Sequence, residues 1–306
     1  MSQFLSFPTD IQSLVRFIYN SLRFVTVAST TVAFLLSTLL YFKQNSLIYP
    51  SYLPEGARTK VPRPDEYEIS DWEEVTLTTP DKEKLNSYLL YSSKKENPGV
   101  TVLFLHGNAG NIGHRLPIAR IFSEQMGFNI FMLSYRGYGL STGRPCEKGL
   151  LIDAQTALEY LLKTERTKDT KIVLYGQSLG GALSIQLVNK NQDKISGLIL
   201  ENTFRSMRIL IPTAFPPARY LAKMCHQVWP SETTLPKIKE CPVLFLSGGK
   251  DELVPPDHMR VLHEVCVSPV KIFKEFPNGT HNDTVGEEGY FDTIQAFIQQ
   301  VKKGKF

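Results

Sequence analysis

Ser178 stands at the centre of Gly176-Gln177-Ser178-Leu179-Gly180, between a strand-forming run, Ile172 to Tyr175, and a helix-compatible run, Ala182 to Leu187. A serine at a sharp strand-to-helix turn has its Oγ exposed, and glycines two residues either side let strand and helix pass without colliding Cβ atoms. A hydroxyl is a weak nucleophile at neutral pH, so it needs a base, and the base needs an acid to orient it. In open parallel sheets such groups sit beyond the carboxyl ends of strands. Asp251 follows the apolar run Val243 to Leu246, and His281 follows the run Val270 to Phe276. Glu201, just past the strand ending at Leu200, is a rival acid, and Glu252 and Asp283 lie beside the favoured pair. Among the six histidines, His106, His114, His226, His258 and His263 are alternatives. His106 belongs to the loop His106-Gly107-Asn108-Ala109-Gly110-Asn111, and His258 and His263 fall on an expected helix. A tetrahedral intermediate needs two N–H donors; the amides of Leu179 and Asn108 are the candidates for this oxyanion hole.

The elements that must position these groups alternate along the chain. Two runs, Glu73 to Thr79 and Leu85 to Tyr91, read as antiparallel strands joined by a turn. Val100 to Leu105 is a continuous apolar run, the pattern of a strand buried on both faces. Next come a helix near Leu116 to Met126, strand Ile130 to Tyr135, helix Glu147 to Leu162, strand Lys171 to Tyr175, the helix after Ser178 and strand Gly197 to Leu200. Strand Val243 to Leu246, helix Pro256 to Val265, strand Val270 to Phe276 and helix Tyr290 to Val301 close the series. This alternation predicts an α/β fold with a mostly parallel eight-stranded sheet and helices on both faces.

The 306 residues suit one large domain, here residues 71 to 306, better than two small ones. Net charge is +4, without a basic stripe interleaved with aromatics, so nucleic acid is not an expected partner. Cys146, Cys225, Cys241 and Cys266 stand far apart with no histidine at ligand spacing, which argues against zinc and against a disulfide framework. No metal and no cofactor is expected.

Residues 24 to 42 form an uncharged stretch between Arg23 and Lys43, enough to cross about 30 Å of hydrocarbon as a helix. A transmembrane anchor is the reading, with residues 1 to 23 preceding it; a cleaved signal peptide or a buried helix is the alternative. Arg16 and Arg23 before the span nearly balance Lys43, Arg58 and Lys60 after it, so the charge rule leans only slightly towards a cytosolic carboxyl-terminal domain. Residues 43 to 70, rich in proline, read as an extended linker that lifts the domain off the membrane. Residues 203 to 238 carry five prolines among Phe204, Ile209, Leu210, Phe215, Tyr220 and Trp229. They read either as a small lid presenting an apolar acyl-chain site or as a crossover helix with a long loop.

Several motifs together resemble the BEM-type (bud-emergence) membrane-anchored serine hydrolases of the α/β-hydrolase superfamily. They are HGNAGN, SYRGYG from Ser134, YGQSLGG from Tyr175, LENTF from Leu200, GKDELVPP from Gly249 and GTHNDT from Gly279. The resemblance runs from Glu73 to the carboxyl terminus. It implies Ser178 as nucleophile, Asp251 as acid, His281 as base, and an acyl ester or thioester substrate, with protein depalmitoylation as the expected activity. The partner is then an acylated protein or lipid, and the location an endomembrane such as the endoplasmic reticulum. A lipase or small-ester hydrolase and a non-catalytic lipid- or partner-binding protein are the alternatives. Asn278-Gly279-Thr280 and Asn282-Asp283-Thr284 are glycosylation sequons on either side of His281. Both are expected to be unmodified, because a glycan there would crowd the site.

Overall fold

In the computed structural model the described residues are 10 to 93, 99 to 214 and 216 to 306, so Phe215 and the first nine residues of the amino-terminal segment lie outside them. The chain divides into two compact units, residues 1 to 44 and 45 to 306.

The first unit holds most of helix α1, Ile11–Ile48. At 1.5 Å per residue its 38 residues run about 57 Å. Among the described residues it is the one helix long and apolar enough to cross a membrane. Four of its hydroxyls are spent internally: Thr26 Oγ1, Ser29 Oγ, Thr30 Oγ1 and Thr38 Oγ1 each donate to the carbonyl four residues earlier, at 2.7 to 2.9 Å. Such back-bonding removes the polar cost of Ser and Thr in an apolar setting.

The second unit is built on eight strands: β1 (Trp72–Thr78), β2 (Lys84–Leu90), β3 (Val100–Leu105), β4 (Asn129–Leu133), β5 (Lys171–Gln177), β6 (Gly197–Glu201), β7 (Val243–Gly248) and β8 (Lys271–Phe276). Their order in the sheet is β1-β2-β4-β3-β5-β6-β7-β8. The β1–β2 and β2–β4 pairs are antiparallel and all the others parallel. Successive residues of the central strands feed opposite faces, as the two-residue period of a strand requires. Leu103, Leu105, Leu174 and Leu198 join one apolar core; Val102, Phe104, Val173 and Ile199 join the other. That is why the runs are apolar throughout rather than alternating. Helices α3 (Glu147–Leu161), α4 (Leu179–Lys190) and α7 (Asp257–Val265) pack into the first core. Helices α2 (Leu116–Arg120) and α8 (Tyr290–Lys302) pack into the second.

The expected helix near Leu116 to Met126 is composite. A 3-10 turn, Ile112–Arg115, leads into α2, and Ile121–Met126 closes it with a π turn. Residues 203 to 238 contain helix α5 (Met207–Ala214), a 3-10 stretch Pro216–Met224 and the short helix α6 (Ser231–Thr234), the broken form their prolines impose.

The expectation of an extended linker over residues 43 to 70 is corrected. Residues 43 to 48 continue α1, and residues 49 to 70 form a strap of turns, with a 3-10 turn at Pro64–Tyr67, folded against the rest of the second unit. Tyr49, Ala57 and Ile69 are buried within it. Tyr49 joins the first apolar core and Ile69 the second, and the Ala57 carbonyl accepts from Asn111 Nδ2, which holds the strap down where the prolines alone suggested only extension. Tyr49 Oη donates to Gln227 Oε1 at 2.9 Å and accepts from Trp229 Nε1 at 2.9 Å.

Candidate active site

The turn between β5 and α4 carries Ser178 at φ 53° and ψ −115°, a left-handed, strained conformation for a residue with a side chain. The flanking glycines are required by close approach. A Cβ on Gly176 would lie 2.4 Å from the Gly180 carbonyl oxygen, and one on Gly180 would lie 1.9 Å from the Leu105 carbonyl oxygen. Strand β5, helix α4 and the end of β3 therefore meet at backbone distance. The elbow leaves the Ser178 side chain facing residues from two further strand ends.

Asp251 lies in the turn after β7 and His281 in the loop after β8. The structure brings them together with Ser178: His281 Nε2 is 3.1 Å from Ser178 Oγ, and His281 Nδ1 is 2.8 Å from Asp251 Oδ2. An ionised carboxylate only accepts, so Nδ1 carries the proton shared with Asp251 and Nε2 is left to accept from the serine. The other Asp251 oxygen, Oδ1, accepts from the amides of Leu253 (2.9 Å) and Val254 (2.7 Å), which fixes the carboxylate plane. All three side chains are largely buried. Such an arrangement can take a proton from a hydroxyl as it attacks an acyl carbon.

The two expected oxyanion donors lie close by. Leu179 is the first residue of α4, so its N–H has no acceptor within the helix. Asn108 follows Gly107, whose built Cβ would stand 3.7 Å from that of Ser178, so the loop runs against the nucleophile turn. Asn108 is tethered from both ends: its carbonyl accepts from Tyr138 Oη at 2.9 Å and its side-chain amide donates to the Ile48 carbonyl at 3.2 Å. The end of α1 thus grips this loop. The strap grips it too, where Gly110 N donates to the Leu53 carbonyl at 2.8 Å, and where Asn111 Nδ2 donates to the carbonyls of Ala57 and Lys60, each at 2.9 Å.

The rival residues have other work. Glu201 is fully buried beneath the elbow, where Tyr175 and Tyr290 donate their hydroxyls to its Oε2 and Gln177 Nε2 donates to Oε1 at 3.2 Å. Burial pushes its carboxyl above the ordinary range, opposed by the hydrogen bonds of the two tyrosines. Glu252 accepts from the His281 backbone amide at 3.3 Å, and Asp283 accepts from Thr280 Oγ1 at 2.9 Å. His106 is enclosed, stacked on Tyr135, and desolvation pushes its imidazole down to about 3. Its Nδ1 is 2.7 Å from the Gly107 carbonyl, a contact that shapes the loop. His114 lies in the 3-10 turn after Asn111, and His258 Nδ1 accepts from the Arg205 amide at 3.2 Å. His263 packs edge-on against Phe245. The strap is one part of the site that sequence reasoning missed; buried-type residues among the prolines, Tyr49 and Ala57, were its signal.

No group of three or more His, Cys, Asp or Glu among the described residues could hold a metal ion. The two sequons differ in setting: Asn278 Oδ1 accepts from Lys250 Nζ at 2.8 Å, and Asn282 is exposed beside His281.

The sheet order, the strained serine at a strand-to-helix turn and the acid and histidine on later strand ends define the α/β-hydrolase class, and residues 100 to 230 match the α/β hydrolase fold family. A solved α/β hydrolase from Vibrio vulnificus shares this fold, with a TM-score of 0.69 and 24% identity over 84% of this chain and 93% of that one. Protein bem46 of Schizosaccharomyces pombe is 49% identical over 289 residues, covering 94% of this chain and 96% of that protein. The uncharacterized membrane protein YNL320W of Saccharomyces cerevisiae is 46% identical over 279 residues, covering 91% and 95%. The chain belongs to the BEM46-type family of α/β hydrolases.

Proposed function

We propose that the chain is a membrane-anchored serine hydrolase that cleaves an acyl ester or thioester through an acyl-Ser178 intermediate. The observation that carries this reading is the hydrogen-bonded line Ser178 Oγ, His281, Asp251 with its two contacts of 3.1 and 2.8 Å. Ser178 Oγ attacks the acyl carbon while His281 Nε2 takes its proton. The Leu179 and Asn108 amides hold the oxyanion, a contribution of about 3 kcal/mol for each donor. Collapse of the tetrahedral adduct expels the alcohol or thiol, which receives the proton from His281. Water, deprotonated by the same imidazole, then attacks the acyl-serine and releases the carboxylic acid.

The substrate class is a long-chain acyl group on a protein or lipid at a membrane, with protein depalmitoylation as the activity. Helix α1 supports a site beside a bilayer, and the region between β6 and β7 offers an apolar surface, with Ile209, Tyr220 and Met224 exposed. An endomembrane such as the endoplasmic reticulum is the location that goes with this reading. Turnover of a palmitoyl-cysteine peptide by the full chain, set against turnover of a lysophospholipid, tests the substrate class. Faster Ser178-dependent thioester cleavage is expected; exclusive lysophospholipid cleavage would make the protein a lipase instead.

A further inference from the structure

Three consecutive residues that end and succeed strand β6, Glu201, Asn202 and Thr203, touch every arm of the site without belonging to the Ser178, Asp251, His281 line. The serine arm is held twice. Ser178 N donates to the Glu201 carbonyl at 2.8 Å, and Thr203 Oγ1 donates to the Ser178 carbonyl at 2.7 Å. Both backbone groups of the strained residue are therefore clamped from one neighbouring strand end.

Asn202 spans the other two arms. Its Oδ1 accepts from Gly248 N at 2.8 Å, three residues before Asp251. Its Nδ2 faces the carbonyls of Thr280 (3.3 Å) and His281 (3.2 Å) and Thr284 Oγ1 (3.0 Å). One amide so joins the acid loop to the histidine loop. It is buried, and it sits at φ 45°, a left-handed conformation that asparagine tolerates better than most residues. A buried amide with both ends satisfied in this way specifies one geometry.

We propose that Glu201, Asn202 and Thr203 act as a single positioning element that sets the registry of the three catalytic loops, with Asn202 fixing His281 relative to Asp251. This rests on the catalytic reading of Ser178, Asp251 and His281. The competing account is that the acid and histidine loops hold one another unaided, through the Lys250 N bond to the Gly279 carbonyl at 2.9 Å. Small displacements of reacting groups cost rate much more than affinity, on the order of 100-fold for about 1 Å. A positioning role therefore appears in kcat, and KM stays near the wild-type value.

The test is steady-state turnover of a p-nitrophenyl ester by the full chain in detergent, with folding monitored by circular dichroism. Asn202→Gly keeps the left-handed backbone and removes the amide; Thr203→Val removes the hydroxyl, and Thr203→Ser restores it. Asn202→Gly and Thr203→Val are expected to lower kcat about 10- to 100-fold with KM within about twofold, and Thr203→Ser to recover most of the rate. Folded Asn202→Gly and Thr203→Val proteins with wild-type kcat overturn the proposal, as does a Thr203→Ser protein as slow as Thr203→Val. If Asn202→Gly does not fold, the Thr203 pair decides by the same criteria. A Ser178→Ala protein as fast as wild type takes down the catalytic reading and this inference together. Ser178-dependent turnover with unaffected Asn202 and Thr203 variants overturns the inference alone.

Discussion

The side-chain amide of Asn108 donates to the carbonyl of Ile48, 3.2 Å away, so the loop read as an oxyanion donor is tied to the last residue of helix α1. The strap beyond Ile48 meets the same loop at Asn111, a buried side chain that donates to the carbonyls of Ala57 and Lys60. Asn111→Leu removes both donors and leaves the Ala57 carbonyl without this bond. A stability loss of about 1 to 3 kcal/mol is expected, read from urea unfolding. Turnover should fall as well, since the loop loses its main hold on the strap.

Gly180→Ala is expected to be more damaging. Its Cβ would enter the Leu105 carbonyl, a backbone atom at the end of a central strand that has nowhere to move. A loss of about 3 kcal/mol or more, measured by denaturant unfolding, is the expected outcome. An equally stable variant would mean that α4 does not approach β3 as closely as the structure has it.

Glu201 gives a prediction in pH. Its carboxyl titrates higher in the folded chain than the ordinary 4.5, chiefly because burial disfavours the charge. The folded state then binds the proton more tightly than the unfolded one, so this residue's contribution is most favourable below pH 4.5. The contribution declines as pH rises from 4.5 through the raised folded value. Glu201→Gln lacks that titration. Unfolding free energies measured across this window should therefore decline less steeply with pH for Glu201→Gln than for wild type.

The thiols should separate by burial. Cys241 is enclosed and desolvation pushes its thiol up to about 12, so almost no thiolate is present at about pH 8. Cys146 is partly exposed. Iodoacetamide at about pH 8 is expected to label Cys146 in the native protein and Cys241 only after denaturation, as peptide mass spectrometry would report.

The strands were legible because those buried on both faces must be apolar throughout, and the strand ends then singled out Ser178, Asp251 and His281 without any knowledge of distance. Glu201 shows the limit of that argument. It also ends a strand, and only the direction of its side chain, into Tyr175 and Tyr290, separates it from a residue facing the serine. The strap was illegible for a different reason. Prolines at 50, 54, 62 and 64 exclude a long helix or a central strand but say nothing about docking, which depends on Asn111, Gln227 and Trp229, distant in sequence. Asn202 was passed over because an asparagine after a strand is an ordinary turn residue until its four neighbours are known.

The central claim is that Ser178 is a nucleophile activated by His281. Reaction of the folded full chain with a fluorophosphonate, followed by peptide mass spectrometry, tests it most directly. The account predicts one covalent phosphonyl adduct on Ser178, absent from Ser178→Ala and much slower to form in His281→Ala. Absence of labelling in the folded wild type, or equal labelling of Ser178→Ala, would contradict it.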